Sequence, residues 1–318
     1  RADRPAHVRE LDLLERAEKE GEAVTAHLPA AFRERCHQPE VLVEAINKLQ
    51  ELMVVNRFWE QKVKEGKELV SGQLQGLAEV MHDLASEFDE NRFPPGVGEQ
   101  APLFNLELGL AQKAGWNQQV CGDYYSLLEL GAGEQVIILS DGMGNGPRAA
   151  AESKVTVVLL ERLLEAGFKK EVVLRSVNSL LQLRTGDETF ATVDMALIDL
   201  VEGEIELLKI GAAPSMIKRD KEVFRIGAPS VPLGILSRVE VESYLEKLQP
   251  NDLLVMVTDG ANDPDGELAW LVSFLRLMEN SPPQIVADRI IEEAARRSGG
   301  RLRDDLTVAV CRLLRLKG

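Results

Sequence analysis

The stretch VIILSDGMGNGP, residues 136–147, places an apolar, strand-length run directly before a glycine-rich loop and a proline. Proline is well tolerated at the first position of a helix, so the stretch predicts a strand, a tight loop and a helix. Three glycines among residues 142–146 allow the backbone to turn sharply and to approach a ligand. Asp141 and the carbonyl of Gly142 are therefore candidate oxygen ligands for a cation, although a plain turn before a helix is the alternative.

Three more aspartates occur in comparable settings. Asp123 lies in VCGDYY, Asp259 follows the run LLVMVT, and Asp304 opens the apolar run in RLRDDLTVAV. An isolated carboxylate at the end of a buried strand is costly unless a partner neutralises its charge. Several such carboxylates together are typical of hard divalent cations bound through oxygen. The sequence therefore predicts a metal-assisted hydrolase, although each Asp motif taken singly could be an ordinary turn.

The composition argues against several other classes of function. The chain has 318 residues, 45% of them hydrophobic and 28% charged, as in ordinary globular proteins. A net charge of -15 argues against a nucleic-acid-binding surface, which needs a basic patch. All four histidines precede the Pro94-Pro95 pair, so we expect neither a Ser-His-Asp triad nor a histidine-zinc centre beyond it. No P-loop and no cysteine-phosphatase loop is present in the sequence.

The cysteines and the apolar runs indicate the cellular compartment that we expect for the protein. Cys36, Cys121 and Cys311 are odd in number and far apart, which favours a reducing compartment over disulfides or a zinc site. The apolar runs are strand-sized, so we expect no membrane span, and no signal peptide is visible. The chain begins Arg-Ala-Asp rather than Met, and we expect it to be a fragment of a longer protein.

Residues 1–95 have a helical pattern that differs from the rest of the chain. After a predicted helix over 6–22, residues spaced alternately by four and three positions predict one long helix over about 42–88 with a coiled-coil-like seam. Every rung of this ladder except three polar residues is apolar. Its members are Leu42, Ile46, Leu49, Met53, Asn56, Glu60, Val63, Lys67, Val70, Leu74, Leu77, Met81, Leu84 and Phe88.

One alternative to a single long helix stays open, and the end of the segment is marked separately. Glycine weakens a helix by up to about 1 kcal/mol relative to Ala, so Gly66, Gly72 and Gly76 favour two shorter helices packed on a core. Pro94, Pro95 and Gly96 mark a boundary. We therefore predict a helical regulatory or linker segment at 1–95 and a second domain at 96–318.

The second domain mixes strands and helices. Short turns such as the one around Glu202-Gly203 predict antiparallel hairpins, and paired helices predict an α/β sandwich with helices outside two sheets. The predicted strands are 105–111, 122–130, 134–140, 191–199, 204–210, 214–219, 222–226, 240–247, 252–258 and 306–314. The predicted helices are 147–166, 170–184, 267–279 and 283–298.

Across about residues 103–314, the ordered motifs GD, DGMGNG, GAAPSMIKR, VPLGI, VTDG and DDLTVAV resemble those of the metal-dependent PPM (protein phosphatase 2C-type) Ser/Thr phosphatases. The form DGMGNG and the stretch 178–198 resemble the sporulation branch of that family. The resemblance implies an α-β-β-α sandwich of two mainly antiparallel sheets flanked by helices, preceded by an α-helical regulatory segment with a long linker helix.

The same resemblance implies the roles of the site residues. Asp141 would bridge two Mn²⁺ or Mg²⁺ ions, with the carbonyl of Gly142 completing one shell. Asp259 and Asp304 would bind the other ion, and Asp123 would lie close by, behind the direct ligands or as a water-mediated ligand of the metal site. Asp141, Asp259 and Asp304 are thus the expected catalytic residues. Met143 stands where eukaryotic relatives have a histidine, so a histidine general acid is not expected.

The resemblance also implies a biological role. The expected reaction is hydrolysis of a phosphoserine on a phosphorylated anti-sigma-factor antagonist, which activates a sporulation sigma factor by partner switching. The N-terminal helices would regulate this reaction and form a homodimer. The expected location is a cytoplasmic fragment of a protein anchored at the division septum by a segment absent from this chain.

Two other interpretations of the sequence stay open at this point. One is a PPM-like scaffold that acts by binding partners, but such a protein would be expected to lack the metal-binding aspartates. The other is a Mg²⁺-dependent phosphohydrolase of a small phosphoester. The Asp-x-Asp pattern that such an enzyme of the HAD type needs occurs only at Asp263-Pro-Asp265, which does not end a strand.

Overall fold

A computed structural model describes residues 37–90, 101–183, 190–236, 238–239, 241–263 and 268–316. The chain divides into two compact units, Arg1–Gly72 and Gln73–Gly318, and each is described by itself. The helix predicted over 6–22 and the Pro94-Pro95 boundary lie outside the described residues. The division into a regulatory segment at 1–95 and a phosphatase domain at 96–318 stays a prediction.

The first described element is the long helix α1, Pro39–Glu90, which has 52 residues. It begins before and ends after the predicted limits, and it is continuous, so the two-helix alternative is wrong. A Cβ atom added to Gly66 or Gly72 would meet nothing within 4 Å, and neither glycine interrupts the helix. Many of its apolar side chains are exposed, including Leu49, Met53 and Val63.

The remainder forms two five-stranded antiparallel sheets, as predicted. The first sheet has the order β1-β10-β9-β6-β7 and the second the order β2-β3-β4-β5-β8. The strands are β1 (Phe104–Lys113), β2 (Asp123–Leu130), β3 (Glu134–Asp141), β4 (Val193–Asp199), β5 (Glu204–Ile210), β6 (Ser215–Arg219), β7 (Glu222–Ile226), β8 (Glu242–Lys247), β9 (Leu253–Val257) and β10 (Leu306–Arg315).

Among the residues that the structure describes, four α-helices cover the outer faces of the sheets. They are α2 (Pro147–Glu165), α3 (Lys170–Gln182), α4 (Ala269–Leu277) and α5 (Pro283–Arg297). The predicted strands and helices of this region are all present, and their ends differ by at most about two residues, as is usual for element boundaries. None of the described helices combines the length and apolar character needed to cross a bilayer.

Side chains on the two faces of each strand pack into different layers of the sandwich. In β3, Ile137 and Leu139 pack into the cluster between the sheets, whereas Val136 and Ile138 pack under α2 and α3. Successive side chains of a strand point to opposite faces, so one apolar run serves both layers. A third cluster joins β9 and β10 to α4 and α5. The result is the predicted α-β-β-α order, with the aspartate motifs at strand ends of both sheets.

Candidate active site

The predicted site residues come from adjacent strand ends in both sheets. Asp123 and Asp141 are directly opposite each other at the end of the β2–β3 pair, so their side chains share one face. Asp259 follows β9 in a short 3₁₀ turn, and Asp304 precedes β10, the neighbour of β9 in the other sheet. The structure thus brings the four predicted aspartates to one end of the sandwich.

The pKa values of Asp123, Asp141 and Asp259 show that neighbouring carboxyl groups affect one another's ionisation. Burial, followed by the charges of Asp123, Asp259 and Asp304, raises the pKa of Asp141 to about 9. Burial raises the pKa of Asp123 to about 6, against hydrogen bonds that lower it. Burial and the charge of Asp304 also raise the pKa of Asp259. Several acidic groups that disfavour one another's charge are an arrangement that a divalent cation would stabilise.

The donor atoms fit a hard cation. All are oxygens, which Mg²⁺ and Mn²⁺ accept. Asp123 is 3% exposed, and its Oδ1 is buried without a hydrogen-bonding partner among the described residues. Within that same part of the chain, no group of three or more His, Cys, Asp or Glu side chains is drawn together as a closed metal site. The fit rests on the donor chemistry and on this free carboxylate oxygen.

Asp141 is held by the strand beside it. Its backbone N–H donates to Thr192 Oγ1 at 2.9 Å, and its carbonyl accepts from the Thr192 N–H at 2.9 Å. Gly142 then forms an isolated bridge with Ala191. A Cβ atom on Gly142 would lie 2.1 Å from the carbonyl oxygen of Ala149 in α2, so the loop and the helix meet too closely for any side chain there. Glycine at this position is a packing requirement.

The neighbouring Asp304 and Asp305 have different surroundings. The buried Asp305 carboxylate accepts hydrogen bonds from the backbone N–H groups of Gly115, at 2.7 Å, and Gly122, at 2.5 Å. Asp305 therefore ties the loop between β1 and β2 to the start of β10. Asp304 Oδ1 accepts a hydrogen bond from the Asp305 N–H at 2.9 Å, and the charges of both residues act on Asp259. The charge of Asp304 also acts on Asp141, and its side chain is not tied to the loop between β1 and β2, which favours Asp304 as the ligand.

Sequence reasoning missed a hydroxyl pair beside Asp123. Thr258 Oγ1 donates to Asp123 Oδ2 at 2.7 Å, and Thr307 Oγ1 donates to the same oxygen at 2.8 Å. Their positions within VTDG and DDLTV were available signals. Threonine is common in strands, however, so nothing local distinguished these two.

A groove of about 490 Å³ adjoins the carboxylates. Asp259 and Asp304 line one side of it, and Arg297 and Arg303 are among its other residues. The guanidinium of Arg297 lies 5.5 Å from the ring centroid of Trp270, which also lines the groove. The groove offers cationic and aromatic groups next to the acidic site, and sequence reasoning did not identify these arginines.

Comparison with known proteins agrees with the fold. A family model described as stage II sporulation protein E (SpoIIE) matches residues 131–314, and a model of the SpoIIE regulatory domain matches residues 9–101. The stage II sporulation protein E of Priestia megaterium is 40% identical over 212 residues, 65% of this chain. The chain spans only 36% of that relative. Phosphoserine phosphatase RsbU of Bacillus subtilis is 23% identical over 203 residues, which cover 61% of this chain and 60% of RsbU.

A solved structure shares most of the described architecture. It comprises the PP2C phosphatase domain and a fragment of the regulatory domain of SpoIIE from Bacillus subtilis, and it matches with a TM-score of 0.72 and 29% identity. The match covers 81% of this chain and 99% of that one. The chain therefore belongs to the stage II sporulation protein E family, within the PP2C-type serine phosphatases.

Proposed function

We propose that this chain is a Mn²⁺- or Mg²⁺-dependent protein serine phosphatase. The single observation that carries the proposal is the convergence of Asp123 and Asp141 from one sheet with Asp259 and Asp304 from the other. Their mutual effect on ionisation means that a cation bound among them would relieve repulsion between like charges. The free Oδ1 of Asp123 supports the same assignment.

Each residue has a distinct task in this proposal. Asp141 and the Gly142 carbonyl would hold one cation, Asp259 and Asp304 would hold the other, and Asp123 would complete the site. Two bound cations supply an activated water and neutralise the phosphoryl oxygens. Met143, which is 49% exposed, has no exchangeable proton, so the protein provides no general acid at that position.

The proposed substrate is a phosphoserine on an anti-sigma-factor antagonist, whose dephosphorylation would activate a sporulation sigma factor. RsbU, a related protein, is named as a phosphoserine phosphatase. The groove beside Asp259 and Asp304 has a volume of about 490 Å³, and Arg303 among its lining residues would offer a cation to the phosphoryl group. The name of this relative and the cationic groove support a protein substrate.

We further propose that the N-terminal helices regulate this activity and support a homodimer. Within the unit that begins at Gln73, a Cβ on Gly76 would lie 2.7 Å from Leu183, just after α3. Asp83 in the same stretch pairs with Arg175 of α3 at 3.7 Å. Since α3 packs on α2 and α2 follows the Asp141 loop, a shift of this stretch would reach the site. Anchoring of the parent protein at the division septum belongs to the same proposal.

The decisive experiment is Mn²⁺-dependent phosphate release from a phosphorylated antagonist protein, with p-nitrophenyl phosphate as the small-substrate comparison. Asp259→Ala is expected to lower turnover by at least about 100-fold, because even groups that only support metal ligands contribute 10- to 100-fold. Asp288→Ala, an exposed position on α5, is the matched control. Undiminished activity of Asp259→Ala would remove this residue from the site. Activity confined to the small substrate would replace the protein-phosphatase proposal with a small-phosphoester hydrolase.

A further inference from the structure

The carboxylate of Asp123 is held asymmetrically. Its Oδ2 accepts two hydrogen bonds, from Thr258 Oγ1 at 2.7 Å and Thr307 Oγ1 at 2.8 Å. Its Oδ1 has no hydrogen-bonding partner among the described residues. Asp123, Thr258 and Thr307 are all buried, with 3%, 5% and 0% exposure. The two oxygens of one carboxylate therefore have different environments within the protein.

The direction of these hydrogen bonds follows from the N–H groups that donate to the two hydroxyl oxygens. Thr307 Oγ1 accepts from Gln112 Nε2 at 2.9 Å, and Thr258 Oγ1 accepts from the Thr307 backbone N–H at 2.8 Å. Amide groups such as these can only donate at that nitrogen. Each hydroxyl has one hydrogen, and with an N–H already directed at its oxygen, that hydrogen points to Asp123. Oδ2 is consequently a pure acceptor.

The network also joins the two sheets. Asp123 belongs to β2 in one sheet, whereas Gln112, Thr258 and Thr307 belong to or directly follow strands of the other. Gln112 Nε2 additionally donates to the Asp123 carbonyl at 3.2 Å. Position and rotation of the Asp123 side chain are thus set by the sheet that delivers Asp259 and Asp304. A carboxylate from one sheet is held in register with the acidic residues of the other.

We propose that Thr258 and Thr307, supported by Gln112, are positioning residues that hold Asp123 with Oδ1 free to bind a divalent cation. We call these three residues the hydroxyl clamp. The inference rests on the proposed function, because it assigns the free oxygen to the cation of that site. Groups that orient a metal ligand typically contribute 10- to 100-fold to metal affinity. A purely structural bridge between the sheets would instead affect stability alone.

The test measures Mn²⁺ binding by isothermal titration calorimetry on the whole chain, alongside thermal unfolding without metal. Thr258→Val and Thr307→Val keep the side-chain shape and remove the hydroxyl. Each is expected to raise the Kd for Mn²⁺ by about 10- to 100-fold. Thr156→Val is the matched control, since Thr156 is equally buried and its hydroxyl donates, among the described residues, to the Glu152 carbonyl within α2. Its Kd is expected to match that of the unsubstituted protein.

Two further variants keep the proposal testable if a valine variant fails to fold. Thr307→Ser retains the hydroxyl and is expected to restore Mn²⁺ affinity. Gln112→Ala alters an exposed residue and is expected to weaken binding less than either valine change. A Kd within twofold of the unsubstituted protein for Thr258→Val and Thr307→Val, or for Gln112→Ala where those do not fold, would overturn the clamp. Failure of the unsubstituted protein to bind Mn²⁺ would overturn the proposed function together with it.

Discussion

Asp304 and Asp305 carry the same side chain one position apart, yet their surroundings differ. The Asp305 oxygens accept hydrogen bonds from the distant backbone N–H groups of Gly115 and Gly122, whereas the described hydrogen bond to Asp304 comes from the adjacent Asp305 N–H. The charges of both residues act on Asp259, and that of Asp304 also acts on Asp141. The sequence-based choice of Asp304 as the ligand is favoured by this contrast and stays a prediction. The role of a single carboxylate therefore depends on which neighbouring groups already form hydrogen bonds with it.

Matched substitutions would separate the two roles. Asp304→Asn is expected to weaken Mn²⁺ binding by at least about 10-fold while changing the free energy of unfolding little. Asp305→Asn is expected to keep Mn²⁺ affinity but to lower the free energy of unfolding by about 1–3 kcal/mol, because its NH₂ group cannot accept a hydrogen bond from a backbone N–H. Calorimetric titration and denaturant unfolding provide the two measurements. The opposite pattern would identify Asp305 as the ligand.

The long helix α1 exposes apolar side chains at the positions of its predicted seam. Its seam positions Leu49, Met53 and Val63 are 55%, 46% and 54% exposed, although they follow the spacing of a coiled-coil core. Apolar side chains repeated along one face of an exposed helix are typical of contact with a partner. This is the structural support for the proposed homodimer, in which the same face of a second copy would cover the seam.

Val63→Glu tests the seam. Removing one buried valine typically costs about 1.5–3 kcal/mol, so the dimer Kd is expected to rise by at least about 10-fold. Sedimentation equilibrium would measure it, and Mn²⁺-dependent turnover on the same samples would show whether dimerisation regulates catalysis. Val54→Glu makes the same change off the seam, at a residue that is 67% exposed, and is expected to leave the dimer intact. If the unsubstituted protein is monomeric, or if both variants have equal effects, the seam does not form a dimer interface.

The two sheets are joined at a second buried polar contact. Lys209 Nζ lies 2.8 Å from Asp194 Oδ2 and 2.7 Å from the Ala213 carbonyl, and both charged side chains are essentially inaccessible. Ser215 at the start of β6 donates to the same Asp194 oxygen at 3.2 Å, which links this pair to the other sheet. A charge buried here without its partner would be strongly unfavourable, so the pair is a constraint on the whole sandwich.

Lys209→Met is expected to lower the free energy of unfolding by about 3–5 kcal/mol, because it leaves Asp194 buried with an uncompensated charge. Denaturant unfolding measures the change. Lys247→Met provides the control, since Lys247 is 65% exposed and lies 3.7 Å from Glu204, and it is expected to cost at most about 1 kcal/mol. Similar costs for both substitutions would mean that the buried pair contributes no more than a surface one.

The order and type of the elements and the antiparallel sandwich could be predicted from the amino-acid sequence, as could the four candidate site aspartates. These properties are local: apolar spacing, turn residues and motifs such as DGMGNG can each be read within a short window. The sequence was also sufficient to predict one long helix, although three glycines argued for two. Which groups surround each aspartate could not be predicted in this way, because it depends on the tertiary structure.

Thr258 and Thr307 reach Asp123 across 135 and 184 positions of sequence, and Arg303 meets the site only where α5 and β10 converge. Nothing in the local pattern at these residues distinguishes them from ordinary strand threonines or a surface arginine. Their roles depend on the packing of one sheet on the other, because only that packing brings a hydroxyl within hydrogen-bonding distance of a carboxylate in a distant strand.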